Sequence, residues 1–431
     1  MNEIQMPKKV EFILDQLNQN GYEAYIVGGC VRDRLLGRMP GDWDITTSAK
    51  PQQVKQIFRR TLDTGIAHGT VTVMLGKQGF EVTTYRIDGE YLDNRHPKSV
   101  EFTEHLSQDL ARRDFTINAM AYSPRTGVVD LYGGMEDLKK GIIRCVGKPQ
   151  ERFCEDALRI LRAVRFAAQL NFEIDPATQE AIIQEVELLQ KISAERIRVE
   201  LVKLLTSPAP QKIHTASELG ITRVVLPEYE EHKKDEPHLL RALLQVQADA
   251  DLRLTILFHE YGVVQTKAVM RRLKFDNHSI DRVSRLVKWF DLEYETSPAG
   301  VRRALNCVGD DIFAGLIQVQ RAYLSTYETQ QNEQDTKSLN QDEKNLQDLD
   351  YKAQSLKNLD QKERIYQQVL EEGDCYCIKM LAIGGQDLMD IGIPKGKQIG
   401  EMLNQLTQMV IEDPKLNTRE QLLEIVRKQM Q

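Results

Sequence analysis

No stretch of this 431-residue chain approaches the roughly 18 consecutive apolar residues of a membrane span. The first residues, MNEIQMPKKVEFILDQL, lack the apolar core of a signal peptide. Positive charge is also scarce: 57 Lys and Arg stand against 64 Asp and Glu, giving a net charge of −7 and a pI of about 5.8. That balance excludes a global basic field, but a local basic cleft can still bind phosphates on an acidic protein. Metal-knuckle spacing is missing too. Six cysteines (Cys30, Cys145, Cys154, Cys307, Cys375 and Cys377) are scattered, and Cys375-Tyr-Cys377 is too tight for the usual zinc or redox motif. The expectation is a cytoplasmic protein with reduced thiols and no membrane partner. What is present, 41% hydrophobic and 28% charged residues, describes an ordinary globular chain long enough for two to four domains.

The first 150 residues read as mixed α/β. A helix near Pro7–Asn20 leads to a short apolar strand, Ala24–Val27, then a glycine turn and a helix around Val31–Leu36. Ile45–Thr47, Gly69–Leu75, Gly79–Arg86 and Val128–Tyr132 have strand character, with Gly76–Gly79 as a hairpin turn. After Pro149 apolar residues recur at helical spacing to the end, broken near prolines such as Pro176, Pro227 and Pro298. The fold class is therefore α+β: a small mixed-sheet head followed by an all-helical remainder. Glu328–Glu372 is rich in Gln, Asn, Asp, Glu and Lys, yet Leu339, Leu346, Leu349, Leu356, Leu359 and Ile365 keep a thin apolar stripe. A long exposed helix pair is expected there.

Chemistry concentrates in three clusters. In GGCVRDRLLGRMPGDWD, Asp42 and Asp44 stand two apart, so an extended backbone delivers both carboxylates to one point. Alone, Asp-x-Asp is common in turns. Here Gly28 and Gly29 free backbone N–H groups to approach a triphosphate, and Arg32 opens the helix that follows. Two hard oxygen ligands suit Mg²⁺, and phosphoryl chemistry usually wants a third carboxylate, for which Glu81 is the best candidate. Trp43 is assigned packing only. The second cluster, ARRDFTINAMAY, offers Arg112 and Arg113 either as a plain capped helix start or as a clamp for leaving pyrophosphate. The third, Arg152–Ala168, spaces Asp156, Arg159, Arg162 and Arg165 at three-residue steps along one expected helix, beside Leu158, Leu161 and Phe166. An Asp156/Arg159 pair can accept from an exocyclic amine and donate to a ring acceptor. That polarity fits cytosine and adenine, and it rejects uracil and guanine by leaving its own polar groups unpaired.

Together GGCVRD with DWD, EVTTYR, RRDFTINAMAY, EDALRILRAVRFAA and AERIRVEL resemble the class II tRNA nucleotidyltransferase family, which comprises CCA-adding enzymes and the related bacterial poly(A) polymerases. The resemblance runs through about the first 205 residues, and LAIGGQDLMDIGIPKGKQIGEMLNQLTQMVIEDPKLNT is similar to the C-terminal segment of Gram-positive-type CCA-adding enzymes. It implies a catalytic head over 1–150, a base-recognising neck over 151–205, a helical body over 206–325 and a tRNA-binding tail over 326–431. It further implies that Asp42 and Asp44 hold Mg²⁺ and that Glu81 completes the catalytic carboxylates. The nucleotide contacts are then Gly28, Gly29, Arg32 and Arg113 at the turn and clamp, with Glu155, Asp156 and Arg159 reading the base and Arg162 and Arg165 near the phosphates. The expected substrates are CTP, ATP and a tRNA 3′ end, held along its acceptor and T arms by backbone contacts. Oligomeric state stays open.

Subfamily rests on Arg86–Phe102, a loop whose loss accompanies CC-only addition among similar enzymes; it is present here. A-only addition remains the alternative, with poly(A) synthesis disfavoured by the tail. Pro237–Gly262 resembles an eroded metal-dependent phosphohydrolase: His238 stands near a first ligand position, but the expected His-Asp pair reads His259-Glu260. A leftover structural helix pair is expected there. Two other classes are weaker. A non-catalytic RNA-binding scaffold would have lost a carboxylate or arginine, and transfer to a small molecule leaves the helical remainder unexplained.

Overall fold

The computed structural model describes residues 4–89, 100–233, 236–334 and 343–430. The chain falls into two compact units, Met1–Glu231 and His232–Gln431.

In the first unit, α1 (Lys8–Gln19) buries Val10, Ile13, Leu14 and Leu17, the three- and four-residue spacing of a one-sided helix. It feeds β1 (Ala24–Val27), which is buried along its length. Then come α2 (Gly29–Leu35), β2 (Ile45–Thr47) and α3 (Pro51–Ile57), the last opening on proline, whose missing N–H costs nothing in a first turn. β3 (Thr61–Gly65), β4 (Thr70–Leu75) and β5 (Gln78–Thr84) follow, with β6 (Arg86–Asp88) and β7 (Val100–Phe102) paired antiparallel as a separate ribbon. Residues 90–99 of the loop used to separate the subfamilies lie outside the described residues. After α4 (Leu106–Ala111), β8 (Met120–Ser123) and β9 (Gly127–Asp130) complete a seven-stranded sheet ordered β3-β4-β5-β2-β1-β8-β9. Within it β2 and β5 run parallel, and the other pairs are antiparallel.

Two strands of this sheet escaped the sequence reading. The central residues of β3, Leu62, Asp63 and Thr64, are exposed at the sheet edge, so no burial alternation marks them. β8 is the reverse case, buried at every position, but its Met120-Ala121-Tyr122-Ser123 has no β-branched residue to mark a strand.

Beyond α5 (Gly134–Lys140) and β10 (Ile142–Ile143), the unit becomes helical: α6 (Pro149–Glu155), α7 (Leu158–Leu170), α8 (Pro176–Glu185) and α9 (Ala194–Leu205), then α10 (Ile213–Glu218), α11 (Ile221–Val225) and α12 (Pro227–Glu231). Two expectations need correction. The remainder is not wholly helical, because β11 (Glu173–Ile174) pairs in parallel with β10. Nor is Arg152–Ala168 one helix. Asp156 caps the C-terminus of α6 with φ −138° and ψ 103°, an extended conformation that no helix continues through.

The second unit is helical among its described residues, from α13 (Glu236–Gln245) and α14 (Ala250–Phe258) through α15 (Gly262–Arg272), α16 (Asn277–Lys288) and α17 (Pro298–Val308). Of the helix pair expected over Glu328–Glu372, α19 (Glu343–Glu371) supplies one member, with Leu359 buried, whereas α18 (Asp310–Gln334) starts 18 residues earlier and reaches the range only at its end; Leu339 lies outside the described residues. The last helices, α20 (Gly385–Asp390), α21 (Lys397–Glu412) and α22 (Arg419–Gln429), close round Leu388, Leu406, Val410, Leu422 and Val426. The eroded phosphohydrolase residues have other partners. His238 Nδ1 is 2.8 Å from the Thr326 hydroxyl, His259 packs between Phe290 and Tyr323, and Glu260 lies 3.8 Å from His232.

Candidate active site

The turn Gly28–Gly29 leaves the buried β1 for α2. Gly28 sits at φ 79° and ψ −131°, a conformation closed to residues with a Cβ, and its N–H donates to the Met120 carbonyl at 3.1 Å. A Cβ there would stand 3.1 Å from Nη1 of Arg113. The turn is thus open on the side that the arginine approaches.

Asp44 directly precedes β2, and its carbonyl accepts from Val27 N–H at 3.0 Å. The parallel ladder matches Ile45 with Val82 and Thr46 with Thr83. Asp44 and Glu81 each stand one residue before a partner of that ladder, Ile45 and Val82. Glu81 is exposed while its neighbours Phe80 and Val82 are buried, so it lies on the open face. Asp44 keeps surface in solvent, yet the protein packed round its carboxyl raises its pKa; Arg113 opposes this shift and Asp42 adds to it. Two carboxylates that feel one another fit a hard divalent ion. Among the described residues no three metal-binding side chains already enclose one point, so Glu81 stands apart from the Asp42–Asp44 pair as a ligand.

Asp109, on α4, anchors the clamp. Its fully buried carboxylate accepts from Arg112 Nε and Nη2 at 3.0 and 2.7 Å and from Arg113 Nη2 at 3.1 Å. The hydroxyl of Thr46, on the strand that follows Asp44, is 3.4 Å away. Burial would raise the Asp109 pKa, but Arg113 and Arg112 bring it below its ordinary value. Arg112 caps the end of α4, so the capped-helix-start alternative is set aside. Arg32 donates from Nη1 to Asn118 Oδ1 at 2.7 Å and pairs with Asp33 at 2.8 Å.

The arginines of α7 are all engaged. Arg162 binds Asp114 through Nε at 2.8 Å, and Asp114 also accepts from Phe115 N–H at 2.8 Å and Asn118 at 3.2 Å. Arg165 binds Glu200 at 2.7 Å. Arg159 pairs with Glu155 at 2.5 Å and donates to the carbonyls of Arg152 and Arg112 at 3.1 and 2.8 Å. With the helix broken at Asp156, its carboxylate swings to Arg196 on α9, at 2.8 and 3.2 Å. Sequence reasoning assigned no role to Asp109, Asn118, Arg196 or Glu200. Arg196 and Glu200 stand within AERIRVEL and Asn118 within RRDFTINAMAY, so the motifs were visible while the pairings across 40 or 86 residues were not.

Such a head, with paired carboxylates beside an arginine clamp, defines a nucleotidyltransferase. The Poly A polymerase head domain family matches residues 24–144, the probable RNA and SrmB-binding site of polymerase A matches 171–233, and tRNA nucleotidyltransferase domain 2 matches 244–426. The CCA-adding enzyme of Levilactobacillus brevis is 36% identical over 420 residues, covering 94% of each chain. That of Geobacillus thermodenitrificans is 40% identical over 332 residues, covering 74% of this chain and 80% of the relative. The crystal structure of the Bacillus stearothermophilus CCA-adding enzyme with CTP superposes with a TM-score of 0.76 at 30% identity, covering 99% of both chains. The chain belongs to the CCA-adding enzyme family, tRNA nucleotidyltransferases that work with a divalent metal.

Proposed function

We propose that this protein builds and repairs the 3′-terminal CCA of tRNA from CTP and ATP without a nucleic-acid template, releasing pyrophosphate. The observation that carries the reading is the β2–β5 register, which pairs Ile45 and Val82, the neighbours of Asp44 and Glu81; it supports the two carboxylates working together beside the arginine clamp. The structural relative with CTP supports the nucleotide class. The match of 244–426 to tRNA nucleotidyltransferase domain 2 supports tRNA as acceptor over a poly(A) tail.

Asp42 and Asp44 are the residues that would hold the metal, and Mg²⁺ suits two carboxylates with phosphate oxygens filling its remaining positions. When bound, it neutralises triphosphate charge as a Lewis acid. Glu81, exposed on β5, takes the proton of the tRNA 3′-hydroxyl as that oxygen attacks the α-phosphate in line. Arg32, Arg113, Arg162 and Arg165 hold the triphosphate and the charge growing on pyrophosphate, with Gly28 and Gly29 giving the backbone close approach. Asp156 and Arg159 read the base, supported by Glu155. Each exchanges a present partner, Arg196 or a backbone carbonyl, for the Watson–Crick edge of cytosine or adenine. The fourfold division fits this work: head 1–150 for chemistry, neck 151–205 for base choice, body 206–325 and tail 326–431 for the acceptor and T arms. No helix among the described residues is long and apolar enough to cross a membrane, and a cytoplasmic site of action follows from the tRNA substrate.

Incorporation of each labelled nucleotide into tRNAs ending before CCA, after C and after CC tests the reading. CTP is expected on the first two primers and ATP on the third. CTP failing on every primer overturns it in favour of A-only addition. Asp42→Ala is expected to abolish all incorporation.

A further inference from the structure

The arginines of the site carry carboxylate partners, but three of them also share one neutral neighbour. The ring of Phe166, on α7, is 6% exposed, and the guanidinium carbons of Arg165, Arg32 and Arg162 lie 3.7, 5.1 and 5.2 Å from its centroid. Phe115 fixes the ring edge-on, with centroids 5.8 Å apart and planes at 80°. Arg32 comes from α2, whereas Arg162 and Arg165 come from α7. The ring is therefore the shared surface on which the arginines of the two helices meet.

Like charges gathered this closely repel, and the cluster answers that with anions: Asp33, Asp114 and Glu200 each take one guanidinium. The cost of such partners is competition, because each carboxylate occupies N–H groups that a phosphate would need. An aromatic ring works differently. Its negative face attracts the plane of a guanidinium and leaves the N–H rim free for an anion in the plane. We infer that Phe166 is a positioning residue for the triphosphate, holding Arg32, Arg162 and Arg165 in register through its ring face without consuming their hydrogen-bond donors. Core filling alone does not account for it, since leucine or methionine would fill the same space. This rests on the reading that those three arginines bind triphosphate.

The test uses the full chain with Phe166→Leu and Phe166→Met, which keep bulk and lose the ring, and Phe166→Tyr, which keeps the ring. KM for CTP and ATP is measured on tRNA lacking CCA, and binding of inorganic pyrophosphate is measured by calorimetry without turnover. In the Leu and Met variants both constants are expected to weaken by about tenfold, with kcat changed by less than about threefold, KM for tRNA unchanged and the Tyr variant within about twofold of the parent. Unchanged KM and pyrophosphate binding in a folded Leu or Met variant overturns the inference. So does a Tyr variant as weak as Leu, or a loss confined to kcat. Failure of the parent protein to incorporate CTP would sink the proposed function instead, while pyrophosphate binding would still report on Phe166.

Discussion

Replacing Asp114 by Asn probes the joint between the sheet and the helix that carries the arginines. The Asp114 carboxylate is 8% exposed and accepts from Arg162, the Phe115 N–H and Asn118. Asparagine preserves shape and the bond from Phe115 but removes the charge that answers Arg162. Breaking a buried pair from one side costs about 3–5 kcal/mol, and the 33% exposure of the Arg162 side chain reduces this to roughly 2–4 kcal/mol. For a cooperative unit of this size, that corresponds to a fall in Tm of roughly 5–12 °C. The pH dependence gives a second handle. Burial works to raise the Asp114 pKa, but Arg162 overcomes it and holds the carboxyl well below the usual carboxylate range. Below about pH 4 the unfolded chain therefore binds a proton that the folded chain does not, so this contribution is intact above that pH and fades on acidification. Calorimetry and urea unfolding of the parent and Asp114→Asn at pH 7, 5, 4 and 3 check both points. A midpoint unchanged at pH 7, or a gap that stays constant down to pH 3, would refute the reasoning.

Gly28→Ala places a Cβ at a positive φ and 3.1 Å from Arg113. It should cost about 1–3 kcal/mol of stability and raise KM for CTP and ATP together, because the strain lies at the triphosphate end; steady-state kinetics on both nucleotides decides this. Asp156→Ala should leave turnover measurable while lowering selectivity for CTP over UTP by at least about tenfold, read from competitive incorporation; undiminished selectivity would remove Asp156 from base reading. Burial and the nearby Asp44 charge push the Cys30 thiol up to about 11. The folded state then keeps a proton that the unfolded state releases above about pH 8.5, so stability from this group is intact below that pH and is lost as pH rises through about 11. Cys30→Ala should flatten the fall in Tm between pH 8 and 10.5, and native Cys30 should resist iodoacetamide until the chain unfolds.

Much of the site was legible because its chemistry is local. Asp42 and Asp44 are two residues apart, Gly28 and Gly29 adjoin Arg32, and short spacings are read directly from a string of letters. The strands Ala24–Val27 and Ile45–Thr47 are buried throughout and were legible from their β-branched residues. The exposed edge strand Thr61–Gly65 shows no burial alternation, and the buried Met120–Ser123 has no β-branched residue to mark it.

Sequence alone therefore determined the candidate side chains for phosphoryl chemistry: the carboxylates, the glycine turn and the arginines, each in its own short motif. The tertiary structure decided how they are held. Ile45 meets Val82, the neighbours of Asp44 and Glu81, only through a parallel register across 37 residues, and Asp156 meets Arg196 where the helix breaks beneath it. The physical reason is one of range. Backbone periodicity places a side chain relative to its own segment, whereas a charge in a half-buried site takes whichever partner packing brings within about 3 Å.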